Sequence, residues 1–107
     1  MAGIKHLVMA KFKEGAPVQQ LILDLKKLAS ELDIVKSFEW GEDVMKVERY
    51  SHGFTHVFIL TFDSAEDVAE YMKHPGHVEY GKKFRAGVEK ILAVDFPDVV
   101  EKTTATA

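Results

Sequence analysis

The chain is 107 residues long, contains no cysteine and carries a formal net charge of −3. Its length suits one domain, and 47% apolar with 10% aromatic residues is enough for a packed core rather than a disordered chain. The absence of cysteine excludes disulfides, thiol catalysis, iron–sulfur clusters and cysteine-ligated zinc, and seventeen acidic residues against fourteen basic ones argue against nucleic-acid binding.

The first apolar run, residues 7–10, is stopped by Lys11 and is too short for a signal-peptide core. Gly3 follows Ala2, so the myristoylation pattern is not met. No stretch approaches the roughly 20 apolar residues that span a bilayer. A cytoplasmic protein without a membrane partner is the expectation.

Residues 5–12 alternate and predict a strand, with His6, Val8, Ala10 and Phe12 on one face and Leu7, Met9 and Lys11 on the other. Gly15 and Pro17 break it, and Pro17 suits a first helical turn. Val18, Leu21, Ile22, Leu25, Leu28, Ala29 and Leu32 then repeat at helical spacing, which predicts an amphipathic helix. Residues 35–40 predict a second strand, and the polar stretch 41–53 a loop. Residues 55–62, rich in β-branched and aromatic side chains, give the strongest strand signal. Ser64 with Asp67 resembles a capping box and opens a helix to Lys73. His74-Pro75-Gly76 interrupts it, and a short helix resumes from His77 toward Arg85. Residues 89–96 predict the last strand. The domain spans 1–100, and 101–107 form a flexible Thr/Ala-rich tail.

The order strand, helix, strand, strand, helix, strand predicts an α+β, ferredoxin-like βαββαβ fold, an antiparallel sheet with helices on one face. Both faces of the strands are apolar, however. His56, Phe58, Leu60 and Phe62 oppose Val57 and Ile59; Leu92, Val94 and Phe96 oppose Ile91 and Ala93. A sheet with one wet face alternates more cleanly than this. Two helices cover one face, so the other needs a second cover, and a second copy of the same sheet is the simplest. A homodimer through the open sheet face is expected over a monomer with an apolar surface.

Histidine is the side chain suited to acid–base work near neutral pH. Of five, His52 lies in a loop and reads as solvated. His6 and His56 each begin the same-face apolar series of a strand, and would meet at one end of the sheet if those strands are neighbours. His74 and His77 flank Pro75-Gly76. As metal ligands the pair has plausible spacing, but zinc wants at least three protein ligands and nothing in the sequence completes a set. As structure they cap helix ends; as catalysis, one acts as base with Tyr71 nearby as a donor. One continuous helix would put Tyr71 and His77 on different faces, and the Pro75 break makes an approach feasible. Trp40 reads as core, Lys82, Lys83 and Arg85 as a solvated helix face, and Gly15, Gly41 and Gly53 as turn glycines.

Lys5-His6-Leu7, Lys11-Phe12-Lys13, Phe38-Glu39-Trp40-Gly41, Gly53-Phe54-Thr55-His56, Thr61-Phe62 and His74-Pro75-Gly76-His77-Val78, in this order, resemble the plant stress-responsive dimeric A/B-barrel proteins. The resemblance runs from Ile4 to about Pro97. The same domain occurs in a plant polyketide cyclase and in some hydroxynitrile lyases. It implies a dimeric α/β barrel with a role in plant stress or defence, an antifungal one among the alternatives. By similarity to the cyclase, His77 would remove a proton from carbon beside a carbonyl and Tyr71 would hold a substrate oxygen, without metal or organic cofactor. His6, His56, His74, Val8, Leu25, Phe58 and Leu60 would line the pocket around a small hydrophobic or phenolic ligand. Leu25 stands where the cyclase has a pocket tyrosine, and Phe58 and Leu60 are bulkier than their counterparts. The resemblance therefore does not carry the cyclase's substrate over to this chain.

Overall fold

Chain segments 4–12, 37–42, 56–62 and 88–97 form the strands β1 (Ile4–Phe12), β2 (Ser37–Glu42), β3 (His56–Phe62) and β4 (Val88–Pro97) of one sheet in a computed structural model that describes residues 3–104. The spatial order is β2-β3-β1-β4 and every neighbouring pair is antiparallel. The helices are α1 (Val18–Glu31), α2 (Glu48–Ser51), α3 (Ala65–Lys73) and α4 (Pro75–Gly87). This is the ferredoxin-like arrangement that the alternation of apolar stripes predicts.

The core lies between one sheet face and the helices α1, α3 and α4. Leu25 and Leu28 of α1, Val68 and Tyr71 of α3 and Phe84 of α4 pack on Ala10, Phe58, Leu60 and Phe62. The α1 stripe is buried at Leu21, Ile22, Leu25, Leu28 and Ala29, as its spacing requires. The Ser64 side chain accepts a hydrogen bond from the Asp67 N–H at 3.1 Å and starts α3.

The opposite face carries Leu7, Met9, Val57, Ile59, Leu92, Val94 and Phe96, each one register step from a core-facing neighbour. On β4, Leu92, Val94 and Phe96 remain 40%, 47% and 38% exposed. Residues 43–54 lean over the other end of this face, beside Met9 and Val57.

The structure corrects several local expectations. The helix after the His-Pro-Gly break begins at Pro75, not His77, because proline needs no N–H partner in a first turn. A one-turn helix, α2, interrupts the predicted loop; four residues are too few to show a period. It ends at His52 in the left-handed region (φ 54°), followed by Gly53 at φ 83°. Gly41 is not a turn residue: it lies within β2, where an added Cβ would meet nothing. Trp40 is not core. It sits on the edge strand β2, 46% exposed, with its ring stacked 6.4 Å from that of His56. Residues 101–104 are exposed and have no regular structure, while 105–107 of the expected tail and the Met1-Ala2 segment lie outside the described residues.

Candidate active site

His74 makes the local geometry on which the site depends. It ends α3 by donating its backbone N–H to the Tyr71 carbonyl at 3.1 Å, and it starts α4 as N-cap. Its Nδ1 accepts from the Gly76 N–H at 2.9 Å, and its carbonyl accepts from the Val78 N–H at 3.0 Å. Pro75 cannot donate to the α3 ladder, so the chain turns there. The turn swings α4 back and brings the Tyr71 and His77 rings to 4.5 Å between centroids.

These two rings border a cavity of about 130 Å³ between the sheet and α1, α3 and α4. That is close to the size that admits one aromatic ring. His6 and Val8 on β1, Leu25 on α1, and Phe58 and Leu60 on β3 line it. Met72, Tyr80, Gly81, Phe84, Arg85, Ile91 and Ala93 complete the wall. Met72, Arg85 and Ile91 are exposed and mark its mouth.

Seven of the nine residues singled out in the sequence are thus brought together: His77, Tyr71, His6, Val8, Leu25, Phe58 and Leu60. His74 and His56 are not. The His74 ring is spent on the α4 cap. His56 pairs with Ala10, whereas His6 pairs with Leu60, so the two histidines lie at opposite ends of the β1–β3 pair. Antiparallel strands place the start of one beside the end of the other. His56 instead stacks between Trp40 and Phe58, shares a 2.8 Å hydrogen bond with Thr55 Oγ1, and has Nε2 3.8 Å from Glu42.

Each polar group in the cavity has a distinct assignment. His77 Nδ1–H donates to the Met72 carbonyl at 3.3 Å, which leaves Nε2 as the bare nitrogen of the neutral ring. Burial pushes the His77 pKa below its ordinary value; the hydrogen bond to the Met72 carbonyl opposes this, and the neighbouring His6, Arg85 and His74 add to the lowering. His77 is accordingly neutral at pH 7. The Tyr71 side chain is 2% exposed, and burial raises its pKa, so its hydroxyl stays a donor. The second cavity tyrosine, Tyr80, is occupied: its hydroxyl donates to the Leu21 carbonyl at 2.8 Å and ties α4 to α1.

Asp95 is the residue that sequence reasoning missed. It sits opposite His6 in the β1–β4 register, and its Oδ1 accepts from His6 Nδ1–H at 2.6 Å. His6 is 5% exposed, so this carboxylate partners a buried imidazole. The His6 ring in turn packs edge-on against Tyr71 at 6.0 Å. The available signal was an acid within the apolar run 91–96 of β4, at the alternation position of Ile91 and Ala93. Tyr80 and Phe84 were also legible, three and seven residues after His77 on one helix face. Among the described residues, no group of three or more His, Asp or Glu is placed to hold a metal ion. No helix among them is long and apolar enough to cross a membrane.

Comparison with known proteins agrees with this architecture. A stress-response A/B barrel domain-containing protein of Arabidopsis thaliana is 42% identical over 106 residues, covering 99% of this chain and 96% of the relative. The olivetolic acid cyclase of Cannabis sativa is 32% identical over 97 residues, 88% of this chain and 95% of the cyclase. Among solved structures, the hydroxynitrile lyase from Passiflora edulis superposes with a TM-score of 0.84 at 27% identity, covering 96% of this chain and 98% of the lyase. A dimeric ferredoxin-like protein from Jannaschia superposes at 0.76 with 29% identity, over 88% of this chain and 97% of that one. Residues 4–98 match the stress responsive A/B barrel domain, and the chain belongs to that family.

Proposed function

We propose that the chain acts as a homodimer, paired through the open sheet face, in which each subunit's cavity binds a small hydrophobic or phenolic molecule and performs metal-independent acid–base chemistry on it. The observation that carries this reading is the contact of the His77 ring with Tyr71, 4.5 Å between centroids, at the wall of an apolar cavity. His77 Nε2 removes a proton from carbon beside a carbonyl. The electron pair moves onto the carbonyl oxygen, which accepts a hydrogen bond from Tyr71. A fixed donor in a dry pocket stabilises such an enolate well. The enolate then attacks a second carbonyl carbon in an aldol-type ring closure: the C=O π pair of that carbonyl moves onto its oxygen, which takes back the proton held by the His77 imidazolium. In a lyase the same His77 removes the hydroxyl proton, the adjacent C–C bond breaks with its electron pair leaving on the departing carbon, and the carbonyl forms. The names of the cyclase and lyase relatives are consistent with either direction. We assign the work to the cytosol, in a stress or defence response, in keeping with the cysteine-free composition and the family's description.

The test is exchange of the methyl protons of 4-hydroxyacetophenone in D2O, followed by NMR. The wild-type protein should accelerate the exchange, His77→Ala should abolish the acceleration, and Tyr71→Phe should reduce it about ten-fold or more. Binding without acceleration would make the cavity a carrier site. Equal rates for His77→Ala and wild type would overturn the assignment of the base.

A further inference from the structure

Arg85 stands out at the cavity mouth. It lies on α4, two turns beyond His77, and its guanidinium folds back along the helix over Gly81. A Cβ at Gly81 would stand in ordinary contact with Arg85 Nη2 at 3.7 Å, which places the guanidinium one turn back along the helix at the cavity rim. Every ion pair among the described residues is made by lysine or histidine, and none uses Arg85. The acids nearby are engaged elsewhere. Asp95 bonds His6, Asp24 accepts from Gln20 at 2.8 Å, Glu79 pairs with Lys82 and Glu89 with Lys11. The remaining wall is apolar apart from His6, Tyr71, His77 and the committed Tyr80. One fixed positive charge therefore faces the entrance of a cavity whose oxygen-binding groups sit deeper.

We infer that the ligand of this cavity is an organic acid, whose carboxylate is held at the mouth by Arg85 while its phenolic or carbonyl end lies between Tyr71 and His77. This rests on the reading of the cavity proposed above. The planar guanidinium offers paired N–H donors in the geometry a carboxylate accepts. A single cation suits a single negative charge. The field of Arg85 reaches His77, where it favours the neutral ring. A carboxylate bound at Arg85 would offset that field, so the anchor and the base are coupled.

The experiment compares binding of 4-hydroxybenzoate and of its uncharged isostere 4-hydroxybenzamide to the full chain by calorimetry, at low and at high salt. The acid should bind about five-fold or more tightly than the amide, and the advantage should shrink with salt. Arg85→Gln should bring the ratio of acid to amide affinity to about one and remove its salt dependence. Its side chain is exposed, so the fold should tolerate the change. Equal affinities for acid and amide would overturn the inference and leave the cavity reading standing. Binding of neither compound would overturn both. Tighter binding of 4-hydroxyphenyl phosphate than of the benzoate would overturn the choice of carboxylate.

Discussion

Replacing Val94 with aspartate should break the proposed dimer without unfolding the subunit. Val94 points away from the helices, pairs with Leu7 across β1 and β4, and is 47% exposed in the single chain. Closure of the two sheets would remove about 70 Å² of Val94 from water in each copy, or about 1.7 kcal/mol at the usual cost per area. Two-fold symmetry applies the substitution twice, so the loss reaches about 3.5 kcal/mol, a roughly 300-fold weaker dissociation constant. An unpaired carboxylate facing Leu7 and Leu92 adds a desolvation cost on top. Sedimentation equilibrium from nanomolar to micromolar concentration measures the constant, and circular dichroism confirms that the subunit stays folded. A Val94→Asp protein that is folded and dimerises as tightly as wild type would refute the assignment of this face as the interface.

Two further predictions concern stability. Phe62 is fully buried, with its ring centroid 5.2 Å from that of Tyr71 and 6.4 Å from that of His6. Phe62→Ala should cost about 3–5 kcal/mol in urea unfolding, and a loss below about 1 kcal/mol would contradict the described packing. The second concerns pH. Burial lowers the pKa of His77, and of His56, in the folded state relative to the ordinary value of 6.5. Between the folded and unfolded pKa values the unfolded chain binds more protons, so stability should rise with pH through that window and fall as pH drops below about 6.5. His77→Gln should flatten that slope, leaving the part due to His56; an unchanged slope would contradict the burial assigned to His77.

Alternation alone was enough to place the strand faces, because a period of two separates core from open side residue by residue. Val8, Phe58 and Leu60 were therefore legible as one layer. The pairing of His6 with Asp95 was not, since it joins residues 89 apart in sequence across a register that only the folded sheet sets. The proposed meeting of His6 and His56 failed for a different reason: in the antiparallel sheet that the element order predicts, the starts of two neighbouring strands lie at opposite ends of the pair. Trp40 was misplaced because aromatic character predicts burial in general, while an edge strand leaves one flank open. The Tyr71–His77 contact was legible only as an opportunity. Its realisation depends on His74 serving two helices at once, which spacing cannot show. Arg85 was read as one of a solvated basic cluster, yet it alone of the three lines the cavity, on the helix face that carries His77 and Gly81.

The central claim is that His77 presents a bare Nε2 as a base at neutral pH. Two-bond ¹⁵N–¹H correlation spectra of the His77 ring in the free protein at pH 7 report its protonation and tautomer directly. The account predicts a neutral ring protonated at Nδ1, where the Met72 carbonyl accepts the hydrogen bond. An imidazolium at pH 7, or a neutral ring protonated at Nε2, would contradict it.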